Sequence, residues 1–109
     1  MTNEEFAALQ LVGGGVPSTE TIPLLAIDWS KAQVFKKTLA AGANVFTFAN
    51  ATDGQTIIVV LTGATSTVTW PTVKWAGGTP PTQTSAGTDV YTFVAVGTTI
   101  YGAANQAMA

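Results

Sequence analysis

The stretch VTWPTVKWAGGTPP, from Val68 to Pro81, decides how this part of the chain can fold, because it allows strand and turn but not helix. Val68 and Trp70 are two residues apart, so in a strand both side chains lie on one face. Pro71 has no backbone N–H, and it therefore ends regular pairing or marks an edge. Glycines and prolines fill the second half of the stretch, which predicts a rigid, exposed loop.

The strongest strand signal lies just before this stretch, between Gln55 and Thr62. Ile57 to Leu61 are consecutive apolar residues, a pattern typical of a strand that is buried on both faces. We therefore expect this strand at the centre of a sheet. The preceding segment, from Asn50 to Gly54, predicts a hairpin-type turn because Asp and Gly both tolerate positive φ.

Further strands are indicated by alternation on either side of the central strand. From Gln33 to Leu39 the alternation places one lysine on each face, Lys36 and Lys37, which favours an edge strand. From Asp89 to Val96, ahead of a turn at Gly97, four residues share a face: Val90, Thr92, Val94 and Val96. The whole pattern predicts an all-β fold, a compact six- to seven-stranded antiparallel sandwich or small barrel. No sequence repeat long enough to indicate a solenoid is evident.

The first 30 residues are predicted to form an extended N-terminal arm, and residues 31–109 the β domain. Thr2 and Glu5 have the spacing of a capping box and predict a short helix, which the glycines at 13–15 end. We expect the arm to provide attachment or contact between subunits. Its candidate residues are the apolar ones: Phe6, Leu9, Val12, Leu24, Leu25 and Trp29.

Composition narrows the chemistry that the chain can perform. Only 9% of the residues are charged, against about 25% in typical domains, and 47% are hydrophobic. A small domain cannot hide so much apolar surface alone, so we expect a homo-oligomer. The chain has no histidine, cysteine or arginine, and its aspartates are far apart in sequence. We therefore expect no enzymatic activity, no cofactor and no metal.

Charge and hydropathy exclude two further classes of partner. With a net charge of −2 and four lysines there is no basic face, so nucleic-acid binding is not expected. The longest apolar run is far shorter than the roughly 20 residues of a membrane-spanning helix. The N-terminus is acidic, and we expect no signal peptide there.

An ordered series of short segments resembles a known family. These segments are NVFTF at 44–48, GQTI at 54–57, VTWP at 68–71, VKW at 73–75, DVYTF at 89–93 and IYG at 100–102. In this order they resemble the small all-β module of tailed-bacteriophage virion proteins, found in tail fibres, spike tips and head or tail appendages. The resemblance covers residues 32–102.

The resemblance implies a symmetric oligomer, most often a trimer, on the virion exterior, in contact with other capsid or tail proteins. Synthesis would take place in the host cytoplasm. Little sequence precedes the module, and we therefore expect a short head fibre, a knob or a decoration component that is attached through the arm.

The tryptophans allow a second function, which the sequence leaves open. Exposed Trp70 and Trp75 could stack on a sugar ring, and the chain would then be a carbohydrate-binding module that recognises a host surface glycan. The competing interpretation places at least one of them in the core and the other at a sheet edge or subunit seam.

Overall fold

Alternating side chains and short connections give this chain an all-β structure, as the sequence predicts. The structure, a computed structural model, describes residues 18–22, 25–63 and 66–108. The predicted N-terminal helix lies outside these residues. Within them a 3₁₀ turn occurs at Ala76–Gly78. The strands are β1 Thr19–Thr21, β2 Ala26–Asp28, β3 Val34–Leu39, β4 Gly42–Val45, β5 Thr47–Ala49, β6 Thr56–Gly63, β7 Ser66–Thr69, β8 Lys74–Trp75, β9 Thr88–Val96 and β10 Thr99–Asn105.

The strands stack in parallel, as successive coils of a short β-solenoid. β3 pairs with β6 and β4 with β7, in both cases with residues 24 positions apart in sequence opposite each other. β1 also pairs in parallel with β3, and β2 with β5. The predicted antiparallel sandwich or small barrel is therefore wrong. Neighbours in sequence follow one another around a coil, with only Phe46 between β4 and β5, instead of folding back as hairpins.

The chain reverses direction only after the last coil. The main sheet has the order β1-β3-β6-β9-β10-β8, with β9 antiparallel to both β6 and β10. The predicted turn at Gly97 joins β9 to β10, and its φ of 62° is one that glycine adopts readily. β6 is central, as predicted. β3 lies between β1 and β6, so the predicted edge position of this lysine-bearing strand is wrong.

The turn at Asn50–Gly54 connects two coils. β6 follows it, as predicted, but β5 and β6 pair with other strands and form no hairpin with each other. Gly54, with φ of 84°, donates its N–H to the carbonyl oxygen of Ala95 at 2.7 Å. The turn is therefore a corner of the solenoid that is fastened to β9.

The register of 24 residues also aligns side chains in the core. Phe46 and Trp70 occupy equivalent positions in adjacent coils, and their rings stack with centroids 4.8 Å apart and planes 16° apart. Leu39 lies opposite Gly63, where an added Cβ would come within 2.9 Å of the leucine Cβ. A glycine at this position therefore allows the coils to approach.

Part of the predicted arm belongs to these sheets. Strands β1 and β2 lie within residues 18–30, and they pair with β3 and β5 of the predicted β domain. Ile27 of β2 is fully buried in the shared core. Residues 1–17 and 23–24 of the arm lie outside the described residues.

We predict that Phe46→Ala lowers the free energy of unfolding by about 3–5 kcal/mol, because it removes a buried ring and leaves a cavity beneath Trp70. Urea unfolding followed by circular dichroism measures the loss. The neighbouring Val45→Ala is the control, since Val45 is 55% exposed and its truncation changes stability by about 0.5 kcal/mol or less. Equal losses in the two variants would contradict the stacked register.

Candidate assembly surface

The two tryptophans predicted to recognise a ligand lie in or against the core. Trp70 is only 9% exposed and packs against Phe46, Tyr91 and Phe93, with the two latter ring centroids 4.8 and 4.9 Å away. Trp70 thus lies in the core, as the competing interpretation has it, and its ring is not exposed for stacking on a sugar. Trp75, on the edge strand β8, is half-buried against the same cluster.

The predicted attachment residues do not form one surface. Trp29 is 1% exposed and meets Phe48 edge-on at 5.4 Å, so its predicted role as a contact for another protein is corrected to a core role. Leu25 is half-buried and packs against the same core. The remaining members of this set lie outside the described residues: Phe6, Leu9, Val12 and Leu24.

The surface that sequence reasoning missed is the outward side of the main sheet. In β6 the inward residues Ile57, Val59 and Leu61 are completely buried. Ile58 and Val60 alternate with them, point outward and are half-buried. The prediction that this strand is buried on both faces is therefore met on one face only within a single chain.

The neighbouring strands extend this apolar surface. Across the sheet Val60 lies opposite Val90, and Ile58 lies opposite both Val34 and Thr92. Further along β9, Val94 lies opposite Tyr101 of β10, which is 45% exposed. We call this surface the outer face; its apolar members are Val34, Ile58, Val60, Val90, Val94, Val96 and Tyr101.

Threonines surround the outer face, and it carries few charges. At one end Thr62 and Thr88 lie opposite each other, with their hydroxyl oxygens 3.0 Å apart in a hydrogen bond. Lys36 on β3 and Lys74 on β8 are the charged residues at the outward positions of the described sheet. No carboxylate occupies an outward position there. The centre of the outer face is thus mainly apolar, with Thr92 of β9 as a hydroxyl among the apolar side chains, and its margin is hydroxyl-rich.

A buried carboxylate fastens the loop before β9 to the C-terminal residues. Asp89 accepts hydrogen bonds from the backbone N–H groups of Thr84, at 2.7 Å, and Ala107, at 2.8 Å. The side-chain amide of Gln106 donates to the same carboxylate at 3.1 Å. Burial by itself raises the pKa of Asp89, but these donors outweigh it and the pKa lies below its ordinary value.

Beside this carboxylate the Tyr91 hydroxyl donates to Oε1 of Gln83 at 2.7 Å, and both side chains are buried. Burial, and to a smaller degree the charge of Asp89, raises the pKa of Tyr91. The hydroxyl therefore stays protonated and keeps donating. Asp89, Gln83, Tyr91 and Gln106 therefore have a structural role, because their side chains hydrogen-bond within the protein.

A second carboxylate joins two coils at the protein surface. Asp28 accepts hydrogen bonds from the backbone N–H and hydroxyl of Ser30, at 3.0 and 2.6 Å, and from the Asn50 amide at 2.9 Å. The Ser30 hydroxyl, followed by Asn50, lowers the pKa of Asp28 to about 2. Asp28 is on β2 and Asn50 follows β5, so this contact holds adjacent coils together.

The described part of the chain contains no group of three His, Cys, Asp or Glu residues placed to hold a metal ion. It also contains no helix of the length and hydropathy needed to cross a membrane. A shallow depression of about 470 Å³ lies beside the β9–β10 turn, and its lining has no charged side chain: Phe48, Ala51, Pro71, Thr72, Gly97, Thr98 and Ile100.

In comparisons with known proteins, no family model, curated protein or solved structure matches this chain. The resemblance to phage virion modules therefore stays a prediction. The outer face, found from the geometry alone, is the feature on which a functional proposal can be built.

We predict that Asp89→Asn lowers the free energy of unfolding at neutral pH by roughly 1–3 kcal/mol. Thr84 and Ala107 donate their backbone N–H groups to different oxygens of the carboxylate, and the NH₂ group of Asn replaces one of these two acceptors. The ionised carboxylate stabilises the fold above its ordinary pKa of 3.8, and this contribution is lost as pH falls through the lowered folded value. The difference between wild type and Asp89→Asn should therefore shrink at low pH.

Urea unfolding at a series of pH values measures this difference. Asp53→Asn is the control, because exposed Asp53 accepts a single described hydrogen bond, from the N–H of Gly97. A difference between wild type and Asp89→Asn that stays constant down to pH ~2 would contradict the role of the ionised carboxylate.

Proposed function

We propose that this chain is a non-enzymatic structural protein of a tailed-bacteriophage virion, an oligomeric fibre, knob or decoration component on the particle exterior. The observation that carries the proposal is the outer face. A six-stranded sheet whose outward side is apolar at the centre is typical of proteins that work in an assembly. The ordered segments between residues 44 and 102 support the choice of a phage virion.

The interior supports a mechanical role for such a component. The core contains a connected group of aromatic rings, in which Trp70 contacts Phe46, Phe48, Trp75, Tyr91 and Phe93. The carboxylate of Asp28 joins adjacent coils, and that of Asp89 holds the C-terminal residues. Because the pKa values of both are lowered, the two carboxylates stay ionised at mildly acidic pH.

Attachment to the capsid or tail is proposed for the N-terminal residues. Strands β1 and β2 are already paired with β3 and β5, so we propose residues 1–17 as the attachment segment. The apolar candidates within it are Phe6, Leu9 and Val12. Other virion proteins are the partners in this proposal.

Purified virions test the proposal directly. We expect mass spectrometry to find the full-length protein at a fixed copy number per particle, and gold-labelled antibodies to bind intact particles. Absence of the protein from purified virions would rule out a virion role.

Deletion of residues 1–17 tests the attachment segment. The truncated protein should still fold, because the deletion removes no described strand, but it should be lost from particles. Full-length protein with the same C-terminal tag is the control. Incorporation of the truncated protein at full occupancy would refute attachment through these residues.

A further inference from the structure

We infer that the outer face is the surface through which a second copy of this chain binds, sheet against sheet. The inference rests on the proposed function, since it identifies the contact between copies in the proposed oligomer. It assigns the centre of this contact to Ile58, Val60, Val90 and Val94, none of which was a candidate in the sequence.

The first support is the position of these four side chains. They project from β6 and β9, the two central strands of the sheet, on the side opposite to the core. Among the described residues, none of them belongs to the buried cluster or to the partly buried side chains packed against it. The most apolar strand of the chain is therefore covered by its own domain on one side only.

The second support is the size of the outer face. The six strands of the sheet contain 35 residues. At a rise of about 3.3 Å per residue and a strand spacing of about 4.8 Å they cover roughly 550 Å². This area is below the roughly 800 Å² that each partner buries in a standard interface, but of the same order. Two such sheets pack at about 10 Å with interdigitating side chains.

The third support is charge, which favours a copy of the same chain over a charged partner. The outward positions of the described sheet carry Lys36 and Lys74 and no carboxylate. Lys74 is on the edge strand β8 and Lys36 is one strand from the edge β1, so both ammonium groups can reach solvent past a packed sheet. When two copies pack together, the neutral apolar centre of one outer face contacts that of the other, and no charge is buried.

The contact between two outer faces, which we call the seam, can be tested by measuring the mass of the full-length protein in solution. Sedimentation velocity over a dilution series should give wild type a mass at least twice the 11.2 kDa of one chain. Val94→Lys should reduce the mass to that of a single chain, because it places a charge at the centre of the seam. Val45→Lys is the matched control, an exposed valine on β4, and should keep the wild-type mass.

Two outcomes of this measurement overturn the inference. One is a wild-type chain that stays monomeric at every concentration, which would leave a different protein or residues 1–17 as the cover of the outer face. The other is a Val94→Lys variant that keeps the wild-type mass. A monomeric wild type would also remove the oligomer from the proposed function, whereas an unchanged mass of Val94→Lys would not. The virion role itself is tested separately, by the presence of the protein in virions.

A milder substitution keeps the test valid if Val94→Lys does not fold. The chain has no cysteine, so a single Thr92→Cys places one thiol on the outer face. A bis-maleimide with a span of about 10 Å, the distance between packed sheets, should join two copies through it. Thr69→Cys on β7, which lies outside the main sheet, should give no crosslinked product. Equal products at both positions, or no product at Thr92→Cys, would overturn the inference.

Discussion

The stacking of Phe46 on Trp70 is the contact on which the rest of the structure depends, because it forms only when adjacent coils are offset by 24 residues. The same offset places Leu39 over Gly63, where there is no room for a larger side chain. Once the coils are in this register, β6 lies beside β3 and its other edge is left for β9. The position of the outer face follows, since the inward side of β6 is fixed by the core.

Local patterns were enough to predict the longest strands, but neither the short strands β1 and β2 nor how the strands pair. Alternation correctly assigned the two sides of β9, and the apolar run at Ile57–Leu61 correctly predicted a central strand. The coils could not be predicted from a sequence repeat, because residues 24 positions apart are both apolar but differ in identity. Phe35, for example, lies opposite Val59. The lysines of β3 led to the wrong prediction of an edge strand, because the sequence does not show what their side chains contact. Lys37 extends to donate to the carbonyl oxygen of Ile22 at 3.2 Å, and this contact between strands is invisible in the sequence.

The candidate site was missed because its residues are ordinary. Aromatic side chains such as Trp70 draw attention in a sequence, yet here they fill the core, since a small solenoid needs large rings to occupy the space inside its coils. Valines at alternate positions of β9 look like any half-buried strand. One feature of the sequence did indicate this surface. The consecutive apolar residues Ile57–Leu61 are typical of a strand that is buried on both faces, and a chain of this length buries one of them.

The central claim is that β6 is covered on both faces when the protein is assembled, and methyl relaxation in the presence of a soluble gadolinium chelate tests it most directly. Ile57 and Ile58 are adjacent residues of the same strand, and they point to opposite faces. With isoleucine methyl groups labelled in the full-length chain, the account predicts that the Ile58 methyl is shielded from the chelate nearly as well as the Ile57 methyl. Fast relaxation of Ile58 beside a protected Ile57, at concentrations where wild type is assembled, would contradict it.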